Sequence, residues 1–311
     1  MKLVISIDVE EEGLFSGRYP RTPPGVTNVA ALERLAFIPQ EFGLPLTLLV
    51  TYPVAQDRAA CRVLAAWRDR HGAEIGAHLH PWNTPPFVDL PGPEPVPSQR
   101  LPREVLRDKF AHLMASVERS LQVTPVSFRM GRFDAGPQVW SLLPEFGVTV
   151  DSSVVPLTPK GADARHFLAP ADPFPLRLSE IPDTGLLEVP VTMVPVVPGI
   201  PAVVESLAAR LPQAPAHRLR DAFRYVAAAG IQPAWYPLSS MQLAAYLHRR
   251  RGGRVLTMFF HSSELQPGAT RLFPNEAAVR RLVDKLRAFL TWLMKTGPVE
   301  GVTLSGLKEQ G

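Results

Sequence analysis

The chain is poor in cysteine and has no long apolar run, and each shortage excludes a class of protein. Cys61 is the only cysteine among 311 residues, so the chain has neither an intramolecular disulfide nor a cysteine-rich zinc site. A membrane-spanning helix needs an apolar segment of about 18 residues or more, and the sequence contains none. The chain also enters a predicted strand at once, without a charged and apolar leader, so we expect a cytoplasmic protein.

Concentrated positive charge is absent as well. The net charge is +4, but the arginines are scattered along the chain. One short run, Arg249 to Arg251, falls on a predicted helix end and has no interleaved aromatic residues. We interpret this run as a solvated surface, and we expect no nucleic-acid partner.

The composition is that of a globular protein, with 46% hydrophobic and 20% charged residues. Apolar runs alternate with amphipathic segments. We predict strands over 3–8, 45–51, 74–80, 125–131, 148–154, 186–194 and 254–261, with a further candidate at 301–307. We predict helices over 29–42, 56–71, 102–121, 136–146, 202–210, 216–228, 239–250 and 275–295. The alternation predicts an α/β fold, either a barrel or an open doubly wound sheet, in a single domain spanning 1–311.

The first predicted strand ends in a cluster of acids. Its apolar run, 3–7, is typical of a strand that is buried on both faces. Asp8 and Glu10 are two residues apart, so an extended backbone directs both carboxylates to one side and Val9 to the other. Adjacent carboxylates repel each other unless a cation or a shared proton relieves them.

Other predicted strands also end in reactive side chains. His78 and His80 are again two residues apart, Arg129 ends a later strand, and His261 ends another with Glu264 close behind. In an α/β fold such strand ends meet at one edge of the sheet. Two imidazoles and one or two carboxylates there make a site for a divalent metal, with zinc as the first candidate. A bound ion of this kind acidifies water, which indicates a hydrolase.

Each of these residues also has a structural explanation when it is taken alone. A lone Asp at a strand end is often a helix cap, and Arg129 can simply bond a neighbouring carboxylate. The joint occurrence at strand ends is what favours function. The other histidines have no partner pattern, and we interpret them as structural: His71, His112, His166, His217 and His248.

In their order along the chain, these stretches resemble the polysaccharide deacetylase family, carbohydrate esterase family 4. Residues 6–10, SIDVE, are similar to the family's first motif, T-F-D-D, and residues 74–78, EIGAH, to the lead into its second. Residues 128–133, FRMGRF, are similar to the third motif, R-x-P-x-G. The segments 150–153, VDSS, and 259–261, FFH, resemble later motifs. The resemblance covers nearly the whole chain.

The resemblance implies an incomplete or distorted (β/α) barrel, commonly of seven strands. It also implies a metal-dependent hydrolase that removes an N-acetyl or related acyl group from a sugar. By the same implication Asp8 is the general base, Arg129 holds Asp8, and His261 protonates the leaving amine and steadies the oxyanion. The metal ligands are then Glu10, His78 and His80. From the sequence alone, the roles of Asp8 and Glu10 are interchangeable.

The chain departs from the family pattern at three places. Val9 stands where the family has its second Asp, so the acid after it must reach the metal. Trp82 stands where the family has its second histidine, so His80 must substitute for it. Gly131 stands at the position of the proline in the third motif, which here carries a second arginine. These changes indicate a divergent branch.

The substrate is less well defined than the chemistry. Together with the expected location, the resemblance favours a cytoplasmic sugar intermediate over an extracellular polymer. We expect the proline-rich loop 83–101 to shape the pocket. Four aromatic residues are candidates for stacking on a sugar ring, although packing is the simpler explanation for each: Trp82, Phe87, Trp235 and Tyr236.

Three functional hypotheses follow from the sequence. The first is a metal-dependent deacetylase, or another carbon–nitrogen hydrolase on the same scaffold. The second is a non-catalytic protein with a degenerate metal site that binds carbohydrate or a protein partner. The third is a metal-free enzyme in which Asp8 and His261 do the acid and base work. The oligomeric state is not predicted.

Overall fold

The computed structural model describes residues 1–22, 25–89, 94–159, 165–180 and 183–309, so parts of the predicted domain 1–311 and of the loop 83–101 lie outside the described residues. Within the described residues the strands are β1 Lys2–Val9, β2 Leu46–Val50, β3 Glu74–Leu79, β4 Ser127–Met130, β5 Val150–Asp151, β6 Phe174–Pro175, β7 Leu187–Glu188, β8 Met193–Pro195, β9 Ala228–Gly230, β10 Val255–His261 and β11 Glu300–Gly301. The α-helices of the same residues are α1 Phe37–Phe42, α2 Tyr52–Gln56, α3 Arg58–His71, α4 Arg103–Leu121, α5 Pro137–Leu142, α6 Ile200–Ala208, α7 Gln213–Ala227, α8 Leu238–Arg250, α9 Glu276–Lys295 and α10 Leu304–Glu309. Short 3-10 helices cover Leu14–Ser16, Thr27–Leu35, Ser98–Arg100, Gly131–Phe133, Leu143–Phe146 and Ser262–Leu265.

Seven parallel strands form the frame of the sheet in the described part of the chain, in the order β10-β1-β2-β3-β4-β5-β7. Strand β6 adds an antiparallel edge to β7, and β11 pairs with the start of β1. The sheet curls into a half-barrel. The half-barrel stays open because its end strands, β10 and β6, do not pair with each other. The predicted incomplete (β/α) barrel is confirmed.

Side-chain alternation along β1 separates two surfaces. Ile5 and Ile7 belong to the main core between the sheet and its helices. Val4 packs with Leu304 of α10 in a separate apolar cluster. Asp8 lies on the same face of β1 as Val4, four residues further along, so the strand directs this carboxylate into the half-barrel.

The helices cover the outer face of the sheet with apolar stripes. In α9 the buried positions recur every three or four residues, which is the spacing of one helix face. These positions are Ala278, Val279, Leu282, Leu286, Phe289, Leu290 and Leu293. The helix begins after Asn275, whose side-chain oxygen accepts the N–H of Ala278 at 3.0 Å.

Several predicted elements are divided or shorter in the structure. The helix predicted over 29–42 consists of the 3-10 helix Thr27–Leu35 followed by α1. The strand predicted over 186–194 divides into β7 and β8, with Pro190 between them; proline has no N–H for a ladder bond. The strand predicted over 148–154 is reduced to the two residues of β5.

The strand predicted over 301–307 is wrong, because β11 ends at Gly301 and α10 begins at Leu304. The N–H of Leu304 donates to Thr47 Oγ1 at 3.0 Å, and that of Ser305 donates to Glu74 Oε2 at 3.1 Å. Side chains from β2 and β3 thus satisfy the first N–H groups of this helix. The local sequence carries no sign of these distant acceptors.

The register of the parallel strands sets which side chains are neighbours at the carboxyl edge of the sheet. Asp8 of β1 is opposite His261 of β10, and His78 of β3 is opposite Arg129 of β4. Four residues that are distant in sequence therefore lie at one edge. Among the described helices, none has the length and apolar character that a membrane span requires.

Candidate active site

The side chains predicted from the strand ends surround one cavity of about 360 Å³. The predicted residues that line it are Asp8, Glu10, His78, His80 and His261. Arg129 is fully buried and reaches Asp8 from behind the cavity wall. The structure thus brings all six predicted residues together. A larger cavity of about 740 Å³, between the segment after β1 and helices α2 and α3, is lined by none of them.

Glu10, His78 and His80 form the only group of three potential metal ligands within the described residues whose ligand atoms all lie within 4.8 Å of one another. Glu10 Oε2 is 3.2 Å from His80 Nε2 and 3.5 Å from His78 Nε2. The two Nε2 atoms are 3.0 Å apart. In a tetrahedral zinc site with bonds of about 2.0–2.1 Å, neighbouring ligand atoms are separated by about 3.3 Å. The spacing of these three atoms suits a single ion.

The opposite nitrogens of both imidazoles are held by acceptors. His78 Nδ1–H donates to the Arg129 carbonyl at 2.9 Å, and His80 Nδ1–H donates to Glu11 Oε1 at 2.8 Å. In the neutral rings, the two Nε2 atoms therefore face each other with their lone pairs. This arrangement repels unless a proton or a cation lies between them. Outer partners that fix the imidazole tautomer in this way are typical of metal sites.

The charges around these ligands are strongly coupled. Burial acts to raise the pKa of Glu10, but the charge of His261 and the hydrogen bonds with His78 and His80 hold the pKa below its usual range. Burial acts to lower the pKa of His80, but the carboxylates of Glu11 and Glu10 raise it to about 10. Two buried carboxylates next to two imidazoles favour a positive charge in their midst.

Glu11 is a candidate site residue that was not predicted from the sequence. Its Oε1 accepts from His80 and from the amide of Asn83, and its Oε2 accepts from Thr51 Oγ1 at 3.1 Å. Strand alternation would direct Glu11 away from Glu10. Because β1 ends at Val9, that alternation no longer applies to the acids after it. The signal in the sequence that pointed to Glu11 was its place in a run of three consecutive acids, Glu10 to Glu12.

Asp8 is held by an arginine whose three side-chain nitrogens all donate hydrogen bonds. Arg129 Nη1 donates to Asp8 Oδ1 at 2.5 Å, and Nη2 donates to Ser6 Oγ and Ser152 Oγ, each at 2.8 Å. Its Nε donates to the Ser152 carbonyl at 2.8 Å. The other carboxylate oxygen, Asp8 Oδ2, lies 4.0 Å from His78 Nε2 and 4.0 Å from His261 Nε2. Arg129 thus fixes one oxygen of Asp8 and leaves the other toward the imidazoles.

His261 lies on the opposite side of the cluster with a carboxylate behind it. Glu264 Oε1 is 3.2 Å from His261 Nδ1, and Glu264 Oε2 accepts the backbone N–H of His261 at 3.0 Å. His261 Nε2 lies 3.8 Å from Glu10 Oε1. Burial acts to lower the pKa of His261, but Glu10 and Glu264 raise it to about 9. The raised pKa favours the protonated form of His261, which is able to donate a proton.

Two departures from the family pattern, the use of His80 and the glycine at position 131, are structurally linked. A Cβ atom on Gly131 would lie 2.7 Å from the Leu79 carbonyl oxygen and 3.2 Å from His80 Nε2. A residue other than glycine at this position would therefore push against His80. The structure explains why a chain that uses His80 has glycine where the family has proline.

The four aromatic candidates divide into two that line the catalytic cavity and two that do not. Trp82 lines the cavity and stacks on His80 with ring centroids 4.3 Å apart, and Trp235 lines the cavity as well. Phe87 lines the larger cavity, and Tyr236 packs against the core. We expected the loop 83–101 to shape the pocket, but none of its described residues lines the cavity of about 360 Å³. Residues 90–93 of the loop lie outside the described residues.

Comparison with known proteins supports the fold. No family model and no curated protein matches the chain. A Mycobacterium smegmatis protein described as a polysaccharide deacetylase has a TM-score of 0.59 and 17% identity, over 99% of this chain and 89% of that one. The chain has the polysaccharide deacetylase fold. Puue allantoinase has a TM-score of 0.54 and 14% identity, over 97% of this chain and 87% of its own. At these identities the deacetylase fold is shared, and function must be argued from the site.

We expect protein that is purified without chelator to carry one divalent ion per chain. His78→Ala and His80→Ala each remove one ligand atom, so both variants should lose most of the ion. His112→Ala, on an exposed position of α4, is the matched control and should keep it. Elemental analysis by mass spectrometry measures the content. An ion that persists in both site variants would contradict this assignment.

Glu11→Gln should weaken zinc binding by about 10–100-fold, because it removes the carboxylate that orients His80. Glu12→Gln is the control: its carboxylate accepts from Thr27 Oγ1 at 2.6 Å, away from the imidazoles. Competition with a chromophoric chelator gives both affinities. Equal affinity in the two variants would remove Glu11 from the metal site.

Proposed function

We propose that the chain is a metal-dependent hydrolase that removes an N-acetyl or related acyl group from a sugar or a polysaccharide precursor. The observation that carries the proposal is the convergence of the Glu10, His78 and His80 ligand atoms next to Asp8, which is itself clamped by Arg129. A buried site that only bound ligands would not require this combination of cation ligands, a carboxylate with one free oxygen, and a cationic imidazole.

The donor set supports a divalent ion, and the mixture of two imidazoles and one carboxylate favours zinc. Glu10 Oε2, His78 Nε2 and His80 Nε2 would hold it, and Glu11 would keep His80 in the required tautomer. When bound there, the ion supplies Lewis-acid chemistry to an acyl carbonyl.

Asp8 is the proposed general base. Arg129 occupies Oδ1, so Oδ2 is the oxygen that takes a proton from the attacking water. Ser6 and Ser152 hold the guanidinium, which keeps the carboxylate orientation fixed through the reaction. Glu10 is the ligand in this assignment, because its carboxylate lies closer to both imidazoles than that of Asp8 does.

His261 is the proposed general acid. In the reaction, a bond forms between the water oxygen and the acyl carbon, and the bond between that carbon and the amide nitrogen breaks. The nitrogen leaves as an amine only if it gains a proton, which the His261 cation provides. The same positive charge stabilises the oxyanion that precedes bond cleavage. The products are a carboxylate, such as acetate, and the amino sugar.

The lining of the cavity suits a small organic substrate. Trp82 and Trp235 both line the cavity that contains the proposed catalytic groups, and small-molecule sites are commonly lined by aromatic side chains with a few polar groups. The sequence-based expectation of a cytoplasmic sugar intermediate is consistent with this role.

A second candidate is another carbon–nitrogen hydrolase on the same scaffold, since an allantoinase shares the fold. The two candidates differ in their products. An N-acyl sugar hydrolase releases acetate or another carboxylate. A primary amide would instead release ammonia, and a cyclic ureide would open its ring and keep the new carboxylate in a single product. Screening acetate, ammonia and ring-opened product over N-acetylated sugars, nucleotide sugars, amides and cyclic ureides separates the candidates.

Asp8→Asn should lower turnover by about 10²–10⁴-fold, because the amide keeps the contact with Arg129 but cannot accept the proton. The ion content should remain that of the wild type. Glu10→Gln should instead lose the ion together with activity. Acetate release and elemental analysis are measured on both variants. If Asp8→Asn loses the ion and Glu10→Gln keeps it, the roles of the two acids are exchanged. Activity that survives chelation would favour the metal-free mechanism.

The pH profile of kcat should fall at alkaline pH, because His261 must be protonated to act as the acid and the Glu10 and Glu264 carboxylates raise its pKa above the usual value. Glu264→Gln removes one of these charges but can still accept the backbone N–H of His261. The pKa of His261 then falls, so the descending limb should move to lower pH. If the descending limb of the profile stays at the same pH in Glu264→Gln, a group other than His261 causes it.

A further inference from the structure

Exposed apolar side chains are concentrated on one region of the surface. Of the sixteen large apolar residues that are exposed in the described part of the chain, eight fall within 196–226. These eight are Val196, Val197, Ile200, Val203, Leu207, Leu211, Tyr225 and Val226. We call them the α6–α7 patch. Monomeric proteins rarely expose such a concentration unless the surface binds another molecule.

Helix α6 turns an apolar stripe toward solvent. Ile200, Val203 and Leu207 recur at the three- and four-residue spacing of one helix face, and their exposed fractions are 40%, 55% and 50%. Val204 and Ala208 are the buried positions of the same helix. The helix therefore has one apolar contact with the protein and a second apolar surface that this contact does not cover.

The end of α7 extends the patch beyond α6. The Val196 N–H donates to the Ala227 carbonyl at 2.8 Å, so the residues before α6 lie beside the end of α7. Tyr225 and Val226, in the last turn of α7, are 75% and 86% exposed. The two helices therefore present their exposed apolar residues in one region.

The chain around the patch is strongly basic. The segment 195–254 has eight arginines, no lysine and two acids, Glu205 and Asp221, so its net charge is +6, whereas the whole chain carries +4. Both acids already have partners. Glu205 pairs with Arg220 at 2.6 Å, and Asp221 lies 3.2 Å from the His217 ring. Positive charge is therefore concentrated in the segment that exposes the apolar residues.

Two of these arginines follow the helices of the patch. Arg210 lies three residues after Leu207, and its N–H donates to the Leu207 carbonyl at 3.1 Å. Arg218 lies seven residues before Tyr225, on the same face of α7. Both arginines are exposed. Long side chains of this kind cover apolar surface with their stems and carry the charge to its edge.

A third arginine lies at the other end of the patch. Arg251 is exposed, and its Nη1 and Nη2 donate to the carbonyls of Pro195 and Val196 at 2.6 Å and 2.8 Å. These acceptors are neutral, so the hydrogen bonds fix the guanidinium beside the patch without cancelling its charge. The apolar residues thus have positive charge at both ends.

The combination of charge and apolar surface selects the occupant. In a two-fold symmetric contact each copy presents the same surface, so a second copy of this chain would bring arginines against arginines. An anionic bilayer instead offers negative headgroups to the arginines and an apolar interior to the aliphatic side chains. Both features of the patch are then used at once.

We propose that the α6–α7 patch docks onto an anionic membrane surface. The aliphatic side chains enter the boundary between headgroups and acyl chains, and the arginines lie among the headgroups. Arg224, next to Tyr225 on α7, lines the catalytic cavity together with Trp235. Docking therefore brings the bilayer beside that cavity. The inference does not depend on the proposed hydrolysis.

Co-sedimentation with lipid vesicles tests the proposal on the full chain. One set of vesicles is phosphatidylcholine alone, and the other contains equal parts of phosphatidylcholine and phosphatidylglycerol. The wild type should bind the anionic vesicles about tenfold or more tightly than the neutral ones. Added salt should weaken this binding, because it screens the headgroup charge. Equal affinity for the two sets, or no binding to the anionic set, would overturn the proposal.

The apolar part of the patch is tested by Val203→Gln combined with Leu207→Gln. This double variant should bind anionic vesicles about tenfold or more weakly, because two apolar side chains no longer leave water. Both positions are exposed, so thermal unfolding followed by circular dichroism should match the wild type. Leu272→Gln is the control, since Leu272 is 62% exposed outside the patch. Wild-type affinity in the double variant would contradict docking through α6.

The basic part is tested by Arg210→Ala combined with Arg218→Ala. Each arginine near an anionic surface contributes about fivefold to binding, so the pair should cost about tenfold or more. Arg271→Ala combined with Arg281→Ala removes the same charge from exposed positions outside the segment 195–254. If both double variants lose affinity equally, net charge alone explains the binding and the patch is not the docking site.

Light scattering without lipid tests the competing occupant. A dimer that Val203→Gln with Leu207→Gln dissociates would assign the patch to self-association and overturn membrane docking. The proposed function fails separately. Vesicle binding that depends on the patch, in a protein that hydrolyses no N-acylated sugar, supports docking and counts against the hydrolase. Hydrolysis by a protein that ignores anionic vesicles does the reverse.

Discussion

The ion pair of Arg129 with Asp8 is the interaction on which the rest of the site depends. Removing a guanidinium and a carboxylate from water is costly, and hydrogen bonds within the protein offset that cost. Besides the bond to Asp8, Arg129 donates three hydrogen bonds to Ser6 and Ser152, and the rings of Phe133 and Phe259 flank the guanidinium at 5.4 Å and 5.2 Å. The pair joins β1 to β4, and the hydrogen bonds from Arg129 to Ser152 connect them to the end of β5. It therefore holds three strands together as well as orienting the proposed base.

A second pair of acids lies buried nearby and shows how this charge is balanced. Burial raises the pKa of Asp151, and burial together with the Asp151 charge raises that of Glu188 well above its usual range. Asp151 accepts from Trp140 Nε1 at 2.6 Å, and Glu188 accepts the N–H of Val154 at 3.0 Å. Because Glu188 favours its neutral form, the positive charge of Arg129 remains available to Asp8.

The cavity separates its charges by position. Carboxylates and imidazoles collect at the carboxyl edge of β1, β3 and β10, where parallel register places them side by side. Arg132 and Arg224 stand on the wall, supported by aromatic rings. The departures at Trp82 and Gly131 are linked, since His80, which substitutes for the histidine missing at Trp82, occupies the space that a side chain at Gly131 would need.

The alternation of strands and helices could be predicted from the residues alone, and so could the pairs two residues apart, Asp8 with Glu10 and His78 with His80. Both predictions depend on local periodicity, which is visible in a single sequence. Three features became visible only in the folded chain: Glu11 supports His80, Arg224 shares the cavity with Arg132, and residues 304–309 form a helix. Each of these depends on contacts between segments far apart in sequence, which become neighbours only when the strands pair in register.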